Sequence, residues 1–300
     1  MTVSRVQEFA RHTAASYPGD HGRLYAGCGL DPRQVAATVQ NLLLHPVAAN
    51  RRKVPLPDEV KDDPAARTVR GLLSRLLARD DRPLSRPRDA SARYLGTCRD
   101  HALLACSLFR EQGVPARLRV GFATYVEPDF LEDHWVCEYW RTGSWRLLDA
   151  QIDPPLAAGL GIDFDPTDVP ADRFLRSGAA WRRVAAGELP AARLGVCSSG
   201  IAGVWFAAGS VFRDMAVLTG REELLPWDYW GQASNFCTNG QVPDSWLPAI
   251  DELAALTLSA DVDLDRLLRA YADRDWLYLE DRVTSYASGV PETVDLRGLG

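Results

Sequence analysis

Lysine is almost missing from this chain: Lys53 and Lys61 stand against 32 arginines in 300 residues. With alanine abundant, the skew reads as a GC-rich coding bias. Arginine forks do match carboxylates, yet 32 of them cannot all be ligand contacts. Excess positive charge is missing too. The net charge is −6 and the isoelectric point near 5.5, whereas a nucleic-acid surface would show a basic stripe. No nucleic-acid partner is expected. No run of 18 apolar residues occurs, so no membrane span is expected. The opening MTVSRVQEFARHTAASYPGD lacks the apolar core of a signal peptide and reads as a short amphipathic helix. A cytoplasmic address follows as the expectation, and there the six cysteines stay reduced. No C-x₂₋₄-C pair exists. Cys98, His101, Cys106, His134 and Cys137 fall at irregular spacings, so neither a zinc site nor any other cofactor is expected. Internal repeats and low-complexity tracts are missing as well.

What is present is ordinary globular material, 46% hydrophobic and 25% charged. Such a length can bury a sizeable core without disulfides and allows one large domain or two small ones. Residues 1–93 read as helical. Asp31-Pro32 caps a helix through about Val35 to Leu44. Asp63-Pro64 repeats the device before Ala65 to Ala78, whose Val69, Leu72, Leu73, Leu76 and Leu77 share a face. An Arg/Asp/Pro-rich connection runs from Arg79 to Arg93. Residues 94–155 form the central part. Thr97 caps a helix from Cys98 to Gln112, ended by Gly113 and Pro115. Ala116 to Tyr125 alternates as a strand, Val126 to Glu132 reads as an acidic loop, and His134–Trp140 and Trp145–Gln151 flank a glycine turn. Residues 156–300 return to helices, predicted over Arg173–Ala186, Ile201–Leu218, Trp246–Leu258 and Leu264–Leu277, and close on a tail. All three parts are expected to pack as one unit.

Three residues of the central part suit thiol chemistry. A thiol attacks as its thiolate, and the free group titrates near ~8.5. Cys98 in the first turn of a helix faces unsatisfied N–H groups and the positive dipole end, which favour the thiolate and can hold an oxyanion. If Trp140 pairs with Trp145, then Glu138 faces Leu147, Val136 faces Asp149 and His134 faces Gln151. His134 and Asp149 become diagonal neighbours on one face, ~7–8 Å apart at Cα. Asp149 can then orient the imidazole, and a one-residue slip would separate them. His101, one turn after Cys98, is a rival base, although helix neighbours stand side by side rather than aiming at one another. Cys106 reads as core, and Cys28, Cys197 and Cys237 as small buried or half-buried residues.

The order GTCRDHALLACSLFREQGVPARLRVGFATY, DHWVCEYW, WRLLDAQ resembles the transglutaminase-like superfamily, relatives of papain-type cysteine enzymes. The resemblance covers about 60 residues and includes Gly113-Val114-Pro115-Ala116-Arg117. It implies Cys98 as nucleophile, His134 as general base and acid, and Asp149 as orienter. It also implies an α+β fold whose nucleophile helix packs on an antiparallel sheet, with helical elaborations before and after. The stretch Phe212 to Gly231, with Arg213, Asp214, Trp227, Asp228 and Trp230, is similar to a bacterial branch of that superfamily. Animal members carry a Trp upstream of the cysteine as oxyanion donor, but here no Trp precedes Trp135. Papain-like enzymes use an upstream Gln, for which Gln40 is the candidate beside its reading as a solvent-facing helical residue. Calcium-binding acidic loops are lacking, so calcium activation is not carried over.

The function these readings support is acyl transfer through a Cys98 thioester, with water or an amine as acceptor. The partner would be a small molecule or peptide bearing an acyl group. A catalytically inactive scaffold or ligand-binding module stays open beside it. Trp135, Asp214, Trp227 and Trp230 are candidate substrate contacts. Residues 200–235 are expected to cover the cleft or, equally, to glue helices to the core.

Overall fold

The computed structural model describes residues 3–232, 240–258, 262–274, 276–277, 279, 281–287 and 290–298. In chain order the main elements are α1 (Val3–Gln7), α2 (Pro32–Leu42), β1 (Leu43–Leu44), α3 (Pro46–Arg51), α4 (Val69–Arg79), β2 (Tyr94–Leu95) and α5 (Cys98–Glu111). Then come β3 (Ala116–Glu127), β4 (Phe130–Arg141), β5 (Ser144–Leu148), α6 (Pro154–Leu160), β6 (Phe174–Arg176) and α7 (Ser177–Ala185). After these lie β7 (Leu194–Val196), β8 (Ile201–Ala202), α8 (Val204–Leu218) and β9 (Asp228–Tyr229). Helices Leu247–Leu258 and Leu264–Ala272 and strands β10 (Arg282–Ser285) and β11 (Glu292–Asp295) complete the described chain.

Contacts divide the chain into two units. The first is Met1–Leu118, Val136–Val169 and Gly298–Gly300; the second is Arg119–Trp135 and Pro170–Arg297. β3 and β4 contribute residues to both, and the sheet they belong to has the order β6-β3-β4-β7-β8, with β5 on β4. The architecture is α+β, as expected, but the sheet is mixed, because β4 runs parallel to β7.

In the first unit α2 starts as the sequence predicts. Asp31 Oδ1 accepts from the Arg33 N–H at 2.9 Å, and Gln34 Oε1 accepts from the Asp31 N–H at 3.2 Å, a capping box. The helix stops at Leu42, since Leu43 and Leu44 pair in parallel with Tyr94 and Leu95. α4 starts at Val69, later than predicted. Pro64 is spent in a one-turn 3-10 helix over Asp63–Ala65, and Thr68 Oγ1 caps α4 by accepting from the Gly71 N–H at 3.1 Å. Asp63 is instead buried and takes both oxygens to Arg79 Nη2 at 2.7 Å. α2 and α4 both pack on α5, which is buried from Cys98 to Arg110.

The β4–β5 hairpin has the predicted register, with Trp140 opposite Trp145 and Glu138 opposite Leu147. Its turn needs two residues at positive φ, Thr142 at 49° and Gly143 at 82°, which identifies a type I′ turn. The acidic loop predicted before β4 is absent. A tight turn with Asp129 at φ 57° lets β3 run to Glu127 and β4 begin at Phe130.

In the second unit α7, α8 and the helix Leu247–Leu258 pack against one another. Gly178 permits this approach, because a Cβ there would stand 2.5 Å from the Ala254 carbonyl oxygen. Phe122, Leu131, Ala180, Leu189, Leu194 and Phe206 form a core cluster. The predicted helices are trimmed where short strands take their ends: β6 takes Phe174–Arg176 and β8 takes Ile201–Ala202. The helix predicted to reach Leu277 ends at Ala272, and the predicted tail contains β11, which pairs with β10.

Candidate active site

Cys98 occupies the first position of α5 and is 9% exposed. The helix start around it is built from side chains of its own turn. Asp100 Oδ2 accepts from the Thr97 N–H at 2.8 Å and from the Thr97 hydroxyl at 3.1 Å. Arg99 Nη1 donates to Asp100 Oδ1 at 2.9 Å and Nη2 to the Arg67 carbonyl at 2.6 Å. The buried Asp100 carboxylate thus sits in an ion pair with Arg99. His101 gives Nδ1 to a 2.8 Å contact with the Thr97 carbonyl of its own helix, and its ring centroid lies 6.4 Å from that of His45. Cys106 is buried in the core, its Sγ 3.3 Å from Cys137 Sγ.

Asp149 follows β5 directly and is 1% exposed. The strand predicted through Gln151 ends at Leu148 because Asp149 turns the chain. Its Oδ1 accepts from the Gln151 N–H at 3.0 Å while its own N–H bonds the Pro166 carbonyl at 2.8 Å, an Asx turn that fixes the carboxylate. The predicted pairing of His134 with Gln151 is therefore missing. Gln40 belongs to the same neighbourhood: its Nε2 donates to the Ile152 carbonyl at 3.0 Å, and the Ile152 N–H reaches the Asp149 carbonyl at 3.4 Å. One of the two Gln40 amide hydrogens is thus committed.

His134 lies in the part of β4 that belongs to the second unit. It is buried, with its ring edge-on to Tyr125, centroids 6.1 Å apart at 85°. Trp135 is buried, and among the described residues its indole N–H has no partner. Asp214 is an internal ion-pair member. Arg119 grips it with Nε at 3.0 Å and Nη2 at 2.7 Å, and the Val120 N–H adds a third bond at 2.9 Å. Trp230 donates to the Leu277 carbonyl at 3.1 Å, Trp227 is half-buried with its indole N–H unpartnered among the described residues, and Asp228 Oδ2 accepts from the Leu225 N–H at 2.8 Å. Strand β9 pairs Tyr229 with Thr284 and Asp228 with Ser285.

Residues 94–148 thus hold the order helix-start cysteine, histidine strand and paired strand, with the aspartate directly after it. Residues 65–150 match the family model of the transglutaminase-like superfamily. This segment is a transglutaminase-like domain. It covers under a third of the chain and contains Cys98, His134 and Asp149. A solved structure of a proposed cysteine protease from Cytophaga hutchinsonii is 15% identical, with a TM-score of 0.34. The match covers 59% of this chain and 46% of that one, so the chain spans less than half of that protein's length. No curated protein matches.

Outside the transglutaminase-like domain, Cys28 is buried as read from the sequence, but Cys197 is exposed, at the tip between β7 and β8. Cys237 and residues 233–235 of the presumed cover lie outside the described residues. Among the described residues no group of three or more His, Cys, Asp or Glu could hold a metal ion, and no helix is long and apolar enough to cross a membrane. Neither Asp133 nor Arg213 stands out as a site residue from the sequence. Asp133 is half-buried as a residue with its Oδ1 enclosed, and burial pushes the carboxyl up to about 6, against the opposing charges of Arg213 and His134. Its place beside His134 was the available signal.

Proposed function

We propose that the protein is a cysteine-dependent acyl-transfer enzyme in which Cys98 attacks the carbonyl of an amide, peptide or thioester. The observation that carries this reading is the helix start at Cys98, set inside a transglutaminase-like domain that also contains the His134 strand and Asp149. The first N–H groups of α5 and its dipole favour the thiolate and would hold the oxyanion. His134 would take the thiol proton and return it to the leaving group, and Asp149, with one oxygen fixed by its Asx turn, would orient the ring. The Cys98 thioester would then pass its acyl group to water or to an amine. Gln40 has one amide hydrogen left to serve as a second oxyanion donor, and Trp135, Trp227 and Trp230 would line the substrate.

The test is selective alkylation. Iodoacetamide at about pH 6 should label Cys98 ahead of the other cysteines, as read by mass spectrometry, since an unperturbed thiol is almost wholly protonated there. Uniform, slow labelling would leave the fold serving as a scaffold. A screen of amides and thioesters, with and without an added primary amine, would then separate hydrolysis from transfer.

A further inference from the structure

Arg213 lies in the middle of α8 and is 2% exposed. Its guanidinium carbon stands 5.3 Å from the Phe206 ring centroid and 5.4 Å from that of Tyr229. Among the described residues it forms no ion pair or hydrogen bond, and its Nη1 is buried without a partner. The adjacent Asp214 is taken by Arg119. Burying Nη1 that way forfeits its hydration with no compensating hydrogen bond, leaving the two ring contacts as partial compensation. A second orphan lies within reach of its charge: Asp133, whose Oδ1 is buried without a hydrogen-bond partner among the described residues. The two feel each other's charge without pairing. Gly209, one turn earlier on α8, adds no side chain beside Nη1, where even a Cβ would stay 3.9 Å away.

We propose that Arg213 is the anchor for a ligand carboxylate, seated against the Phe206 and Tyr229 rings beside Asp133. A guanidinium fork matches a carboxylate with two parallel bonds, and the flanking rings suit the planar group. A single cation next to an acid favours a monoanion over phosphate, because a dianion would meet Asp133 with an uncompensated charge. The ligand class is therefore a monocarboxylate such as an N-acylated amino acid or a peptide terminus. That this ligand is also the acyl donor rests on His134 being the catalytic base; the binding itself does not.

Asp133 makes the site pH-sensitive. The groups facing it are Arg213 from α8 and, on its own strand, His134 and Glu132. Glu132 is itself raised by burial and accepts from the Cys197 N–H at 2.9 Å. Once ionised, Asp133 repels the ligand anion and competes for Arg213. Binding should weaken as pH rises through about 6.

The test is calorimetric titration of the full chain with N-acetylglycine and its neutral twin N-acetylglycinamide, at about pH 5.5 and about pH 7.5. The acid should bind at least about ten-fold more tightly than the amide, the scale of a charge-assisted pair. Affinity should fall several-fold at the higher pH. Arg213→Met should remove the discrimination and Arg213→Lys retain part of it. Asp133→Asn should flatten the pH dependence, and it keeps the test decisive if Arg213→Met does not fold. Equal binding of the twins, binding of neither, or undiminished discrimination in Arg213→Met would overturn the proposal. Repeating the titration in Cys98→Ala separates the two readings. Lost turnover with retained discrimination supports both, whereas retained turnover in that variant sinks the acyl-transfer reading alone.

Discussion

Arg119 and Asp214 are both almost inaccessible to solvent, and their bidentate pair is completed by the Val120 N–H and the Thr257 carbonyl. Removing one partner would strand the other charge. Arg119→Met should therefore cost about 3–5 kcal/mol of unfolding free energy by denaturant titration, far more than loss of an exposed pair such as Arg33–Asp165. Cys98→Ala should abolish turnover on any substrate the screen finds while the thermal midpoint stays close to wild type, because a small side chain at a helix start preserves the packing. His134→Gln should lower kcat by roughly two to four orders of magnitude. Asp149→Asn should cost less, since that acid orients the base and does not take the proton. Turnover that survives in Cys98→Ala would mean the nucleophile lies elsewhere.

Hairpin β4–β5 shows what an element can be asked to do. Its register depends on a two-residue turn in which Thr142, a β-branched residue, sits at φ 49°. A left-handed conformation costs a residue with a Cβ roughly 1–2 kcal/mol, and Asn bears it better. Thr142→Asn should thus raise stability by a few tenths to about 1 kcal/mol, read from the chemical denaturation midpoint, with the hairpin register unchanged. At the other end of the domain, Asp100→Ala would remove the acceptor of the Thr97 N–H and leave Arg99 without its carboxylate partner. The loss should exceed the ~1 kcal/mol of an ordinary cap, because the buried Arg99 guanidinium loses its charge-assisted bond to Asp100 with it.

Across the whole molecule the buried Asp133 carboxyl couples stability to pH. Its folded-state value of about 6 lies above the ~3.9 of an unfolded chain. The native state therefore holds the proton more tightly than the unfolded state does. The group's contribution is intact below about pH 4, declines as pH rises toward 6, and is flat above that. Asp133→Asn removes this slope. The thermal midpoint of the variant relative to wild type should rise between about pH 4 and pH 7 and level off beyond. A constant difference across that range would mean the carboxyl is not shielded as described.

The central elements were legible because local signals agree with one another: Asp31-Pro32 opens α2, Thr97 with Asp100 opens α5, and Thr142-Gly143 sets the hairpin register. The family resemblance rests on that same stretch. Boundaries failed where distant partners outbid local propensity. Asp63, which looked like a cap, is drawn into a buried pair with Arg79, and the predicted helices before Ser177 and Val204 give their first residues to short strands. Likewise, Asp149 ends its strand by turning onto the Gln151 N–H. The fate of each buried charge was also beyond the sequence. Asp214 and Arg213 are neighbours in the chain and polar in composition, yet one is paired by Arg119 from β3 and the other has no ion-pair partner among the described residues. Composition and period determine which segments fold; which buried polar groups are paired or left open depends on contacts between residues far apart in sequence, and those exist only in the tertiary structure.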